Sequence, residues 1–469
     1  MTRNSRRGFL LLCLFVAFFT PATLNWAAEH SFQTARRPGD VDLVTVELEF
    51  SGNLSEVVEG KSQKVPQQGR TQLTYEEETL AAATDGTTEL QSVRVYNESR
   101  VAWKIGDDEV ERQLSQASAK LMCVVESGRP LLFAPSQPLT REDLEIAEVI
   151  GNSLILEQLL PQSPVALNAK WKPDDAILAA LVLVDKVTDS TVTCSLKEVT
   201  DDVARFEIDG TLSALVHDVT TRIELKGRYR FDRRTNRIDW IGLLLQEQRE
   251  ISVVARGFEV VGRLQVRILP QKVAKWLTGR EFENVEIAVG PEAERLMYEP
   301  ADHRWQLLHD RRWFLYREQP DIAIFRFIND GQYVAQAKLW HLPSRKPDDL
   351  PTPEAFQEEV RVALGKDFGS LVEAGEFSEG DDYRIYRVVV AGEPSEIPMF
   401  WHYYLIADKS GRQATVAVTF EEKRGESFGG ADRELIAGFR FLEAKDRPTA
   451  EPTKADPTSK AEQSASGKK

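Results

Sequence analysis

The sequence predicts an α+β protein: a strongly curved antiparallel β-sheet, a half-barrel, wrapped on a helix and followed by a C-terminal α/β sandwich. Three observations lead there. From residue 41 to about 269 the dominant hydrophobic period is two. Helical patterning interrupts that stretch at only two places. From Met297 onward, strands alternate with helices instead. At 469 residues the chain is longer than one core usually organises, so two domains with terminal appendages are expected. With 42% hydrophobic and 28% charged residues, its composition is that of a soluble globular chain. A formal net charge of −15 weighs against nucleic acid or an anionic membrane surface as partner, because both need a basic face.

In order, residues 1–28 read as an export signal, not as part of the fold. Arg3, Arg6 and Arg7 precede an unbroken apolar run over residues 8–19, and Ala27-Ala28 offers a small-residue cleavage zone. The run is short for a bilayer span, which favours a cleaved signal over an uncleaved anchor. Its "SRRGFLLL" (5–12) is similar to the twin-arginine export signature, while the strong hydrophobicity suits the general secretion route; both stay open. Either route implies a periplasmic or secreted protein. Cys13 follows Leu10, Leu11 and Leu12, not the small residues a lipidation site needs. Residues 29–40 are a linker.

The first domain spans 41–270. Its clearest strand is "VTTRIELKGRYRFD" (219–232), which alternates apolar and polar side chains without a break. Such a strand keeps one face in a core and one in water, as in antiparallel sheets. Residues 203–216 and 258–268 repeat the pattern, with turn-like "RRTN" and "RG" between runs. Val44, Val46, Leu48 and Phe50 form another such face, and Val93, Val95, Val101, Trp103 and Ile105 a further one. Gly210, Gly227, Gly242 and Gly262 inside these runs suggest bends in a curved sheet. "TREDLEIAEVIGNSLILEQLLPQ" (140–162) is expected to be one buried helix capped by Thr140, and 171–186 a second, shorter one. "IDWIGLLLQ" (238–246) is apolar on both sides, so something should cover its outer face. Cys123 and Cys194 lie in apolar strand-like surroundings, as a disulfide or as two buried thiols.

The strand lengths, meander order and helix against the sheet resemble secreted bacterial half-barrels of the lipoprotein-carrier type. "NAKWKPDD" and "ELKGRYRFDRRTNRIDWIGLLLQE" look like an uncharacterised family of secreted bacterial proteins. The carrier resemblance implies an apolar ligand on the concave face, here Phe206, Ile208, Leu212, Ile223, Leu225, Tyr229, Phe231, Leu264 and Val266.

After a connector (271–296), the second domain covers 297–443. "RWFLYREQPDIAIFRFI" (312–328) reads as two strands. A helix over 351–368 is expected, with Thr352 as cap, Pro353 first, and Phe356, Val360 and Leu364 on one face. A strand over 383–393 precedes the hairpin "PMFWHYYLIADKSGRQATVAVTF" (398–420). There His402 shares a face with Phe400, Tyr404 and Ile406, and reads as a partly buried rung of the ladder. Asp432 is expected to cap a final helix carrying Leu435, Ile436 and Phe439. This order, ending in the spacing of Leu435, Ile436, Phe439 and Phe441, resembles the PsbP-like and DcrB-like α/β sandwich. That resemblance implies an extracytoplasmic adaptor or assembly factor. Residues 444–469, rich in Pro, Thr, Ser, Ala and Lys, read as a disordered tail.

Chemistry is hard to find. The six histidines (30, 217, 303, 309, 341, 402) form neither H-x-H nor H-E-x-x-H, and phosphate, dinucleotide and nucleophile-elbow motifs are absent. His303, His309 and Asp310 read as a solvated strand edge, and "YEEET" (75–79) and "EGDDY" (379–383) as exposed turns. Arg222, Arg228, Arg230, Arg233 and Arg234 are expected to pair with Glu207, Asp209, Asp239 and Glu247 on neighbouring strands. No catalytic, cofactor or metal residue is nominated. The expectation is a non-enzymatic exported protein binding a hydrophobic ligand or an envelope protein partner. The alternatives are an assembly protein whose cavity its own helix fills, or a hydrolase with dispersed residues.

Overall fold

The structure, a computed structural model, describes residues 28–58, 61–82, 90–126, 128–251, 256–277, 290–346, 349–377 and 383–443. The export signal, the C-terminal tail and most of the acidic run 379–383 lie outside the described residues.

The first half of the chain builds one large sheet. A short strand β1 (Glu29–His30) leads into β2 (Val41–Val58), β3 (Lys61–Ala81), β4 (Leu90–Ile105), β5 (Asp108–Gln113), β6 (Lys120–Glu126) and β7 (Arg129–Phe133). Then come β8 (Leu139–Thr140), helix α1 (Arg141–Ala147), β9 (Val165–Ala166), β10 (Lys170–Trp171) and helix α2 (Asp175–Val182). The meander closes with β11 (Lys186–Ser190), β12 (Thr193–Val199), β13 (Val203–Val216), β14 (Val219–Asp232), β15 (Arg237–Arg249) and β16 (Gly257–Gln271). The hydrogen-bonded order is β10-β12-β13-β14-β15-β16-β2-β3-β4-β6-β7, with β11 added on β13 and β5 on β4. Every pairing in this open sheet is antiparallel. β1 pairs with β9 apart from it.

The alternation in β14 governs which way its neighbours face. Its odd positions are buried except half-buried Gly227, and its even positions up to Arg230 are exposed. The β13–β14 turn places His217 and Asp218 at φ 51° and 67°, the left-handed pair that a two-residue hairpin loop requires.

Three expectations change here. The continuous helix over 140–162 breaks after about two turns. Thr140 does cap α1, its hydroxyl accepting from the Asp143 amide, but the chain leaves the helix at Glu148 and turns at Gly151, φ +77°. It re-forms only a 3-10 turn over Leu156–Leu159. Gly, Asn and Ser at 151–153 are poor helix formers, and a Cβ at Gly151 would lie 2.6 Å from a Leu264 methyl. In β4, the core-facing positions are Leu90, Ser92, Arg94 and Tyr96, not Val93 and Val95. The β3–β4 register skips at Asn97, where a bulge reverses parity so that Val101 returns to the core. "YEEET" is not a turn but the interior of β3, with Tyr75, Glu76, Glu77 and Thr79 all buried.

The second half forms two more sheets. β17 (Arg295–Tyr298), β18 (Trp305–Asp310), β19 (Trp313–Gln319), β20 (Ile322–Asn329) and β21 (Gln332–Leu342) precede helix α3 (Pro353–Leu364). β22 (Ser370–Glu376), β23 (Tyr383–Gly392), β24 (Met399–Asp408) and β25 (Gln413–Glu421) follow. The short helices α4 (Gly425–Phe428) and α5 (Ala431–Ala437) and the strand β26 (Phe439–Phe441) close the described chain. Seven strands run in the order β19-β20-β21-β25-β24-β23-β22, and a small sheet runs β26-β18-β17-β8. α3 starts as expected, Thr352 accepting from the Ala355 amide, and packs Phe356 and Val360 on Val388, Val390 and Trp401. On the opposite face, Phe428, Leu435 and Ile436 pack on Tyr404, Val418 and Phe420. The small sheet ties the two halves together, because β8 pairs in parallel with β17. Arg141 donates to the backbone oxygens of Arg311 and Trp313, and Arg311 donates back to those of Leu132 and Ala293.

Candidate functional site

The outward face of the large sheet carries an open concavity. Alternation puts Thr193, Ser195 and Lys197 of β12, Glu207 and Asp209 of β13, and Lys226 and Arg228 of β14 on that face. Trp240, Gly242 and Leu244 of β15 and Arg263 and Gln265 of β16 continue it. Together they border an open trough of about 750 Å³. A second hollow of about 700 Å³ adjoins it across Leu244 and Arg263, reaching Val261, Glu49, Ser51, Gln68, Arg70 and Lys104.

One cross-strand row joins the two. Register places Thr193 beside Asp209, then Lys226, Leu244, Arg263, Glu49, Arg70 and Ala102. Leu244 therefore sits between two cations and is 45% exposed; Val261, one rung away, is 46% exposed. The expectation that something covers the outer side of 238–246 is not met by any described residue. Gly242 leaves the floor low: its neighbour two residues back, Trp240, folds over it, with a ring carbon 2.8 Å from where a Cβ would stand. With its amide turned toward the Arg267 guanidinium, Gln265 accepts from Trp240 Nε1 at 2.9 Å and holds the indole there.

Charge on this face is only partly paired. Glu207 serves both Lys197 (3.4 Å) and Arg228 (3.3 Å), and Glu49 takes Arg70 (3.6 Å). Arg230 meets Asp239 at 2.7 Å, so Arg228 and Arg230 pair across strands as expected. Arg222, by contrast, meets Glu224 on its own strand, Arg234 meets Asp232 and Asp202, and Arg233 donates to the Thr200 backbone oxygen. Glu247, however, pairs with Arg249. Lys170, Lys226 and Arg263 have no carboxylate within ion-pair distance among the described residues.

The nine side chains expected to line a concave ligand face lie on the inward face of the sheet, and two of them, Ile208 and Leu264, also border the trough from beneath. Phe206, Ile208, Leu212, Ile223, Leu225, Tyr229, Phe231, Leu264 and Val266 are each no more than 1% exposed. They pack in one cluster with Leu154, Ile155, Leu156 and Leu159 from the broken helix. Tyr229 stacks on Phe206 and donates to the Leu159 backbone oxygen. Cys194 and Cys123 are free and buried in the same core.

Beneath the β3–β4 end of that core lies an ionic network that sequence reasoning missed. Arg94 donates to Glu77 (2.7 Å), Asn152 (2.8 Å) and Ser153 (3.1 Å), and Ser92 and Ser153 also donate to Glu77. Arg237 bridges Asp42 (2.5 Å) and Glu157 (2.9 Å), and Arg36 reaches Glu157. Three cations thus meet three carboxylates, which is how a core tolerates charge. Burial pushes Glu77 up, but the Arg94 and Arg36 guanidiniums outweigh it and hold the carboxyl below its ordinary range. The only hint in the sequence was the parity of Ser92 and Arg94 with Leu90 and Tyr96.

His402 is a buried rung of the β24–β25 ladder, opposite Val418, as expected. Its unexpected partner is Asp432, which lies inside α5 rather than capping it: Nδ1 and Oδ2 are 2.6 Å apart. Tyr404 donates to the same oxygen and Arg387 to Tyr404. Burial raises Asp432, yet His402, Tyr404 and Arg387 together bring its carboxyl below its usual value. His309 is buried, not solvated; His303, at the other end of that run, pairs with Glu299 instead.

No protein-family model matches the chain, and no curated protein does either. Among solved structures, it is similar to the PsbP protein CyanoP from Synechocystis sp. PCC 6803, at 16% identity over 33% of this chain and 96% of that one, with a TM-score of 0.25. It is also similar to a structure of lipovitellin, at 10% identity over 52% of this chain and 26% of that one, with a TM-score of 0.31.

Proposed function

We propose that this chain is an exported, non-catalytic binding protein of the cell envelope, whose large sheet closes one face on its own chain and offers the other to a hydrophobic ligand or protein partner. The observation that carries this reading is the uncovered apolar floor at Leu244 and Val261, set in a trough about 750 Å³ in volume. Apolar surface left in a concavity is where binding sites concentrate. The nine residues of the other face, in this reading, belong to a core that residues 154–159 complete. A half-barrel form of the sheet fits it. α2 touches both β7 and β11, which lie toward opposite ends of the strand order, and this supports a curled sheet. Export rests on Arg3, Arg6 and Arg7 before the apolar run at 8–19. No helix among the described residues is long and apolar enough to cross a membrane.

Native mass spectrometry tests it on protein purified gently from its own source, beside a variant carrying Leu244→Glu and Val261→Glu. A co-purifying mass, small molecule or protein, that the variant lacks is expected. Bare protein in both preparations would remove the reading.

A further inference from the structure

We infer that the outward trough takes a single-chain anionic amphiphile, one molecule at a time, with its tail along the β15 floor and its charged head at Lys226 and Arg263; this rests on the binding role proposed above and names the ligand class.

The floor and the rim make two separate demands. The floor is apolar where the Trp240 ring and Leu244 line the first hollow and Val261 the second; Leu243, Phe50 and Trp103 border the hollows but share the inward parity. A wholly polar ligand would leave Leu244, at 45% exposure, as wet as before and gain nothing from it. The rim is basic in a chain whose net charge is −15. Lys170, Lys197, Lys226, Arg228 and Arg263 stand against Glu207 and Asp209. Glu207 is already shared by Lys197 and Arg228, which leaves the cations flanking Leu244 without a closed pair. Asp209 and Glu49 face them across the ladder, but Glu49 is engaged by Arg70. A neutral apolar ligand would cover Leu244 while leaving both cations unanswered. A ligand with an anionic head and an apolar tail satisfies floor and rim together.

The apolar path follows β15, from Leu244 over Gly242 to the Trp240 ring, whereas the cross-strand row through Leu244 is otherwise mostly charged or polar and receives the head at Lys226 and Arg263. Gly242 and the folded-over Trp240 keep the path low at its middle.

The test is calorimetric titration of the full chain with dodecanoate, dodecyl maltoside and acetate, each below its micelle concentration. Dodecanoate should bind one per chain, about tenfold tighter than the neutral maltoside, and acetate should not bind. The preference should weaken with salt and vanish in the Lys226→Glu/Arg263→Glu variant, with Lys226→Gln/Arg263→Gln as the milder control. Equal affinity for dodecanoate and maltoside, both lost in Leu244→Glu, overturns the anionic head while leaving the binding trough intact. Acetate binding as tightly as dodecanoate overturns the tail. Binding of neither amphiphile, or binding indifferent to Leu244→Glu, overturns both this inference and the reading beneath it.

Discussion

His309, the penultimate residue of β18, is 3% exposed, with Nδ1–H donating to the Asp310 backbone oxygen at 2.8 Å. Burial depresses its pKa to about 4, against an ordinary histidine value of about 6.5. The unfolded chain therefore binds a proton across that window which the folded chain refuses. His309 costs the fold nothing above about pH 6.5 and destabilises it progressively down to about pH 4, by up to about 3 kcal/mol. Urea midpoints of wild type and His309→Leu should converge in their pH dependence above neutrality and diverge between pH 6 and 4, the variant losing less stability; parallel curves would refute the assignment. Glu77 and Asp432 are shifted the opposite way for carboxylates, below their usual range, so their contribution is present above about pH 4 and lost on further acidification. Within the buried network, Arg94→Met leaves Glu77 without its closest cation and should cost about 3–5 kcal/mol in urea unfolding. A loss under 1 kcal/mol would mean that Arg36 and Ser153 carry Glu77 without it.

At the scale of elements, period-two alternation was readable wherever a strand kept a single parity, as over 219–232 and in the 398–420 hairpin. It misled at β4, because the bulge at Asn97 exchanges faces without leaving a mark in the composition. The helix over 140–162 was misread for a related reason. Its apolar count was right, but Gly151 had to pass close under Leu264, and Asn152 and Ser153 were claimed by Arg94. The trough was hidden because alternation names faces, not which face is left bare. A paired substitution checks that assignment. Leu154→Ala should cost about 2–5 kcal/mol, as expected for a buried leucine, whereas Leu244→Ala should stay within about 0.5 kcal/mol. Similar losses from both would mean Leu244 is covered in solution. At α3, Thr352→Ala removes a cap and should cost about 1 kcal/mol by thermal denaturation.

Across the whole molecule, the two halves meet through the β8–β17 pairing and two reciprocal arginines. Arg141 also lies 4.2 Å over the Phe314 ring, and the Asp218 amide donates to the Gly331 oxygen at 2.6 Å. Those contacts should make the halves unfold together. Scanning calorimetry should show one transition for the wild-type chain and two for Arg141→Ala/Arg311→Ala; a single unshifted peak in that variant would show that the arginines do not couple them. By itself the sequence determined the alternation of β14 and its neighbours, the α3 cap and the hairpin at 398–420, because each depends on residues close along the chain. Only the tertiary structure decided which face was packed by residues 154–159, which charges met in the core, and that His402 found Asp432. Those outcomes join residues tens to hundreds of positions apart, and no local pattern records which distant partner fills a given face.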